Sequence, residues 1–260
     1  ITLADYMAEC LMHPTYGYYA SRDPFGQGGD FTTAPEISQM FGELLGLCLA
    51  QSWLDQGAPA AFTLAELGPG RGTLMADVLR ATARVPGFHA AARLHLVETS
   101  PTLRARQRAA LGEHPVTWLD AAQDLPDTPL YLLANEFFDA LPIRQFTRTP
   151  QGWSETMIGV SNGALTLGRA APATVPALTH RLTDTAPGDI VELCPAAPAI
   201  MQTLSDRITR HGGTALILDY GDWHSKGDTF QALKSHRFTD PLADPGEADL
   251  TAHVDFAALA

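Results

Sequence analysis

Cysteine is scarce: Cys10, Cys48 and Cys194 are the three in 260 residues. They are far apart, so there is no Cys-x-x-Cys metal or redox pair, and an odd count argues against a disulfide framework. A reducing compartment is expected. Positive charge is scarce too: 17 basic residues, only Lys226 and Lys234 of them lysine, face 29 acidic ones for a net charge of −12. That balance opposes general attraction to a phosphate backbone or an anionic bilayer, so neither nucleic acid nor membrane is expected as a partner. No run approaches the ~18 to 20 apolar residues of a membrane span, and the first residues lack the basic-then-apolar order of a signal peptide. The chain is therefore expected neither to cross a membrane nor to be exported. Internal repeats are absent, and alanine bias is the only compositional skew.

With 45% apolar residues the chain can bury a sizeable core, and its 22 glycines and 19 prolines are unperiodic, which excludes collagen-like and disordered classes. Residues 2–13 read as a short helix capped by Thr2 with Asp5 three positions on, stopped by Pro14. After Gly26, Gly28 and Gly29, Thr33 and Pro35 open a helix whose Ile37, Met40, Phe41, Leu44, Leu45, Cys48 and Leu49 form one apolar stripe, closed by Gly57. From Phe62 short apolar runs at 62–67, 94–98, 116–119, 130–134 and 214–220 alternate with helical stretches. The expected core is α/β, an open parallel sheet with right-handed crossovers. Helices are predicted over 73–84 and 100–111, the latter with Ser100 as cap, Pro101 at its first position and Gly112 past its end. Residues 144–167 break the alternation and read as a meander of three antiparallel strands. The expected division is an N-terminal helical cover (1–60), an α/β core (61–143 and 190–260) and a β-meander insertion (144–189). Residues 196–210 read as a further helix, and 221–253 as polar loop.

The sharpest chemical signal is Glu66-Leu67-Gly68-Pro69-Gly70-Arg71-Gly72-Thr73, after a buried strand and before a helix. Glycines at a strand's C-terminal edge let the backbone turn tightly and approach a ligand, and the next helix presents its first N–H groups there. A dinucleotide site needs Gly-x-Gly-x-x-Gly, with glycine at 73; here the third glycine is Gly72 and Thr73 follows. A carboxylate at Glu66 would repel pyrophosphate and suits a ligand carrying positive charge. S-adenosylmethionine has an ammonium, a sulfonium and no phosphate. Glu98, ending the second strand, can accept both ribose hydroxyls, and Asp120 after the third can accept from the adenine amino group.

Four stretches resemble the MidA family: Glu-Leu-Gly-Pro-Gly-Arg-Gly-Thr-Leu-Met at 66–75, the segment 29–43, Asn-Glu-Phe-Phe-Asp-Ala-Leu-Pro at 135–142 and Asp-Leu-Thr-Ala-His-Val-Asp-Phe at 249–256. The resemblance implies a class I, Rossmann-like S-adenosylmethionine-dependent methyltransferase, related to the mitochondrial complex I assembly factor that is a protein arginine methyltransferase. It covers nearly the whole chain. Members generally continue past this point, so the core's C-terminus is expected to be truncated. The resemblance implies a bacterial cytoplasmic protein, or a mitochondrial matrix one if eukaryotic, with a protein substrate bearing an accessible arginine; a homodimer is also allowed.

Asn135-Glu136-Phe137-Phe138-Asp139 directly follows the fourth strand, at the edge that borders the glycine turn. Methyl transfer needs a nucleophile aimed in line about 3 Å from the carbon, and a carboxylate that clamps a guanidinium bidentately can aim one of its nitrogens. Glu136 is the candidate clamp, with Asn135 and Asp139 beside it; a helix cap is the plainer reading of the same stretch. Glu36 and Glu192 are further carboxylates for the substrate, although Glu36 right after Pro35 also suits a helix dipole. His253, in a family-like stretch, could line the cleft. The spacing of His224, His236 and His253 fits no metal pattern, so none is expected. Tyr16, Tyr18 and Tyr19 form an aromatic cluster that could cover the cofactor or simply pack. Other readings stay open: a methyltransferase for a small molecule or another protein residue, or an assembly factor that binds the cofactor without catalysis. A nucleic-acid methyltransferase is disfavoured by charge and by Asn-Glu-Phe-Phe in place of an Asn-Pro-Pro-Tyr-type motif.

Overall fold

The computed structural model of the chain describes residues 1–21 and 33–260. Gly26, Gly28, Gly29 and the first part of segment 29–43 lie outside the described residues. In chain order the helices are α1 (Leu3–Met12), α2 (Tyr18–Ser21), α3 (Ala34–Ile37), α4 (Gln39–Asp55), α5 (Thr73–Thr82), α6 (Phe88–Ala91), α7 (Pro101–Leu111), α8 (Ala197–His211) and α9 (Phe256–Leu259). The principal strands are β1 (Phe62–Leu67), β2 (Ala92–Val97), β3 (Val116–Leu119), β4 (Leu130–Asn135), β5 (Arg144–Thr149), β6 (Gly152–Ser161), β7 (Ala164–Arg169), β8 (Ile190–Leu193) and β9 (Gly213–Leu218).

Contacts divide the chain into two compact units, one of residues 1–21, 138–198 and 220–260, the other of residues 22–137 and 199–219. The second holds the expected parallel sheet, in the order β3-β2-β1-β4-β9, every pair parallel. Its central strands are continuous apolar runs because helices cover them, as in parallel sheets generally. Phe62 on β1 anchors the core: its ring lies 5.0 Å from both Phe88 and Tyr131, and Trp53 meets Phe88 edge-on at 5.4 Å. Ser100 caps α7 as expected, its hydroxyl accepting from the Leu103 N–H, with Gly112 just past the helix in a left-handed conformation. The helix expected over 73–84 stops at Thr82, before the strand-favouring position that precedes Pro86.

The helix expected to open at Thr33 is instead two. Ser38 adopts extended backbone (φ −143°, ψ 115°) between α3 and α4. The expected apolar stripe also differs. Leu49 is buried and Phe41 and Leu45 are partly so, but Ile37, Met40, Leu44 and Cys48 are exposed. The buried face of α4 runs through Gly42, Gly46, Leu49, Ala50 and Trp53. Closeness is the reason: a Cβ on Gly46 would sit 2.9 Å from Val78 Cα, and one on Gly42 would sit 2.7 Å from Asp77 Cβ. α4 and α5 thus meet backbone to backbone, where small residues are required.

The first unit contains the predicted meander β5-β6-β7, joined by a fourth strand in the order β7-β6-β5-β8. Here the expected domain boundaries change. β8 pairs antiparallel with β5, so residues 190–193 belong to the insertion's sheet rather than to the parallel core, and residues 220–260 group with them. Residues 1–21 join this unit too. Thr2 bridges Met157, and the Ile1 amino group donates to Ile158 O at 2.9 Å. The capping box of Thr2 and Asp5 forms as predicted. The stretch read as polar loop holds a small antiparallel sheet of β11 (Gln231–Lys234), β12 (Arg237–Thr239) and β13 (Asp249–Thr251), beside the pair β10 (Gly221–Asp222) and β14 (Val254–Asp255). Ser235 and His236, both left-handed (φ 51° and 60°), make the two-residue turn between β11 and β12, the backbone of a type I′ hairpin. Arg181, only 2% exposed, ties this unit's loops: it pairs with Asp184 and Asp255 and donates to the carbonyls of His224 and Ser225.

Replacing Gly46 with alanine tests the close crossing. Helix propensity alone would favour alanine by about 1 kcal/mol, whereas overpacking a fixed backbone contact costs roughly 1 to 3 kcal/mol. Gly46→Ala should therefore destabilise the chain in urea denaturation, while Gly159→Ala, whose Cβ meets nothing within 4 Å, should leave the midpoint nearly unchanged.

Candidate functional site

The C-terminal edge of the parallel sheet collects most of the expected residues. Glu66 is the penultimate residue of β1, 2% exposed, and its Oε2 has no hydrogen-bond partner among the described residues. Burial pushes its carboxyl up to about 8. An isolated buried carboxylate is costly unless a cation or donor meets it. Gly68, Gly70 and Gly72 follow, all left-handed at φ 60°, 51° and 85°, a conformation that L side chains adopt only at a cost. Gly72 then stands at the N-cap of α5, which no side chain caps.

Glu36 reaches this turn. Its Oε1 accepts from the Thr73 hydroxyl at 2.6 Å, and its Oε2 lies 3.8 Å from Arg71 Nη1. Glu36 is thus tied to the residues just past the glycines.

Glu98 follows β2 directly. Its Oε1 accepts from Ser100 N at 2.8 Å and its Oε2 from Gln107 Nε2 at 3.2 Å. Burial raises the Glu98 carboxyl, and these N–H groups pull it back. The backbone N–H of Thr99 bonds the same carboxylate, so three N–H groups fix its orientation. Asp120, after β3, is 79% exposed, and its Oδ1 takes a 2.5 Å bond from Arg104 Nη2. The same guanidinium donates to the carbonyls of Glu98 (2.7 Å) and Leu119 (3.2 Å).

Asn135 ends β4, and the backbone N of Glu136 extends the ladder by one bond to Leu218 O at 2.8 Å. Glu136 is left-handed (φ 50°), a position that costs a non-glycine residue roughly 1 kcal/mol. Asn135 Nδ2 lies 3.4 Å from Glu136 Oε1. Phe137 brings this loop onto the glycine turn, since a Cβ on Gly68 would come within 2.9 Å of its ring. The two sequence motifs therefore touch.

Asp139, Glu192 and His253 belong to the other unit, where short links connect them. The carbonyl of Asp139 accepts from Ala252 N at 3.0 Å, next to His253. Thr229 Oγ1 accepts from His253 N at 2.8 Å and donates to Glu192 Oε2. Glu192 Oε1 also takes Gln145 Nε2 at 2.9 Å and Thr229 N at 3.1 Å. Burial raises the Glu192 carboxyl against the pull of these donors. Tyr18 is fully buried, Tyr16 is exposed and stacks on His13, and Tyr19 donates to Asp249 Oδ1 at 2.8 Å.

Sequence reasoning missed Arg104, Gln107 and Thr229. Arg104 and Gln107 sit three apart on α7, the spacing of one helix face. That spacing alone does not separate them from Arg106 and Arg108 on the same helix.

The glycine turn, the buried acid and Glu98 stand together at the C-terminal edge of the parallel sheet. Known proteins show the family. A family model described as "Putative S-adenosyl-L-methionine-dependent methyltransferase" matches residues 44–260. Protein arginine methyltransferase NDUFAF7, mitochondrial, from Bos taurus is 42% identical over 285 residues, covering 100% of this chain and 64% of the bovine protein. Its Homo sapiens counterpart is 40% identical over 288 residues, again covering 100% and 64%. The chain thus spans just under two thirds of the length of these curated relatives. The crystal structure of a COG1565 superfamily member from Burkholderia thailandensis bound to S-adenosyl-homocysteine superposes with a TM-score of 0.84 at 31% identity, covering 100% of this chain and 70% of that one. On a family match over most of its length, the chain belongs to this S-adenosyl-L-methionine-dependent methyltransferase family.

Proposed function

We propose that the protein transfers a methyl group from S-adenosylmethionine to an arginine of a protein substrate. The observation that carries the cofactor half is Glu66, a buried carboxyl whose Oε2 has no partner among the described residues, just before three left-handed glycines. A group so placed fits a ligand that brings its own cation and no phosphate. When bound, the cofactor supplies a methyl on a positively charged sulfur.

The protein's residues then do three things. The glycine turn leaves room for the ligand's backbone approach, Glu98 accepts its ribose hydroxyls, and Asp120, held by Arg104, is the acceptor for the adenine amino group. Glu136 clamps the substrate guanidinium in two hydrogen bonds and aims one nitrogen at the methyl carbon. Transfer would exchange the methyl's carbon–sulfur bond for a carbon–nitrogen bond, a neutral thioether being the leaving group, and the proton lost from the guanidinium would pass to the Glu136 carboxylate or to water. The left-handed backbone of Glu136, fixed at its N–H by Leu218 and flanked by Phe137 on Gly68, supports this aiming role. The arginine half rests on the relatives named protein arginine methyltransferase. A net charge of −12 suits a basic partner segment. The named relatives are mitochondrial; for this chain we propose a reducing interior, consistent with its three unpaired cysteines. Among the described residues no helix is long and apolar enough to cross a membrane. Asp139, Glu192 and His253 are proposed to serve the substrate side.

The pH dependence of binding tests Glu66. In the ligand-free protein its carboxyl is raised to about 8, so it is protonated at neutral pH, and a cationic ligand drives it to ionise. Apparent affinity for S-adenosylmethionine should rise from pH 6 to pH 8 and level off above, and calorimetry at pH 7 in buffers of differing ionisation enthalpy should show proton release. Glu66→Gln should abolish that release. For catalysis, Glu136→Gln should leave cofactor affinity within about twofold while lowering methylation of arginine peptides by on the order of a hundredfold. Normal transfer by this variant, or methyl found by mass spectrometry on another atom, would refute the clamp or the arginine assignment respectively.

A further inference from the structure

α7 carries a side chain that no sequence motif marks and that the proposed chemistry has not used. Gln107 is fully buried. Its Nε2 donates to Gly70 O at 2.8 Å and to Glu98 Oε2 at 3.2 Å, and its Oε1 accepts from Trp118 Nε1 at 2.7 Å. An amide nitrogen has two hydrogens, and both are used. Indole N–H can only donate, so Trp118 fixes which end of the amide faces which neighbour. The body of the side chain packs on the turn as well: a Cβ on Gly72 would lie 3.2 Å from Gln107 Cα and 3.3 Å from Cγ.

We infer that Gln107 is a positioning residue for the cofactor, holding the Glu98 carboxylate and the glycine turn at one fixed separation. Ser100 N, at the start of the same helix, holds Oε1 of Glu98 while Gln107 holds Oε2. Between them these two donors, with the backbone N–H of Thr99, set the rotation of the carboxylate plane, and with it the directions in which its oxygens accept. A vicinal diol needs both oxygens aimed at once, whereas a ligand without the diol is indifferent to that rotation. The inference rests on the reading of this edge as the S-adenosylmethionine site, and it adds the residue that selects for the intact ribose.

The test compares S-adenosylhomocysteine with its 2′,3′-dideoxyribose analogue by calorimetry, for the wild type, Gln107→Met and Trp118→Phe. Methionine keeps the length of glutamine but donates nothing. Trp118→Phe removes the N–H that orients the amide and leaves Gln107 in place. For Gln107→Met the loss in affinity should be at least tenfold greater for S-adenosylhomocysteine than for the dideoxy analogue, with Trp118→Phe showing the same preference more weakly. Urea denaturation separates this from misfolding, and should Gln107→Met fail to fold, the Trp118→Phe comparison decides. Equal losses for both ligands would mean that Gln107 is merely structural, and unchanged binding of both would overturn the inference outright. Absence of heat with the wild type would instead sink the cofactor reading and this inference with it.

Discussion

A carboxyl enclosed in a parallel sheet raises the free energy of the folded chain when no donor meets it, and Glu66, whose Oε2 has no partner among the described residues, is in that position. Such a cost is tolerated in β1, where every residue is buried, because the aromatic cluster around Phe62 holds the strand regardless. The left-handed glycines follow from the same constraint. They turn the chain away immediately after the buried acid. Strand end, loop and helix start thus meet at one carboxyl that burial keeps largely protonated at neutral pH.

Much of this was legible beforehand. The parallel strands, the cap at Ser100, the meander over 144–167 and the glycine turn are local in origin, set by period-two or continuous apolar runs and by residues whose conformational needs are distinctive. What the sequence concealed is relational. The stripe on α4 looked buried because its large residues repeat at helical spacing, yet helix and helix approach through Gly42 and Gly46, and a pattern of hydrophobicity does not register where the smallest residues are wanted. Residues 190–193 fall in the stretch expected to belong to the core, but they form β8, whose partner is β5. The hairpin at Ser235 and His236 escaped because neither residue is the glycine or asparagine that usually announces such a turn.

The candidate site shows the same split. Glu66, Glu98, Asn135 and Glu136 could be named from strand ends, since position in an open α/β sheet already says which edge a residue occupies. Glu36 does stand in the first turn of α3, as a helix dipole favours, and its bond to Thr73 beside the glycine turn is an addition that the sequence did not announce. Gln107 and Arg104 could not be named, because their partners are backbone carbonyls and carboxylates brought close only by the packing of α7 on the sheet. Carboxylates advertise themselves; the residues that orient them do not.

One helix therefore touches every part of the edge proposed to hold the nucleoside. From α7 and its cap come the N–H of Ser100, the guanidinium of Arg104 and the amide of Gln107, reaching Glu98, Asp120 and the Gly70 carbonyl. Gly70, Glu98 and Asp120 follow three different strands, so the helix that spans them ties three separate strand ends to one rigid element.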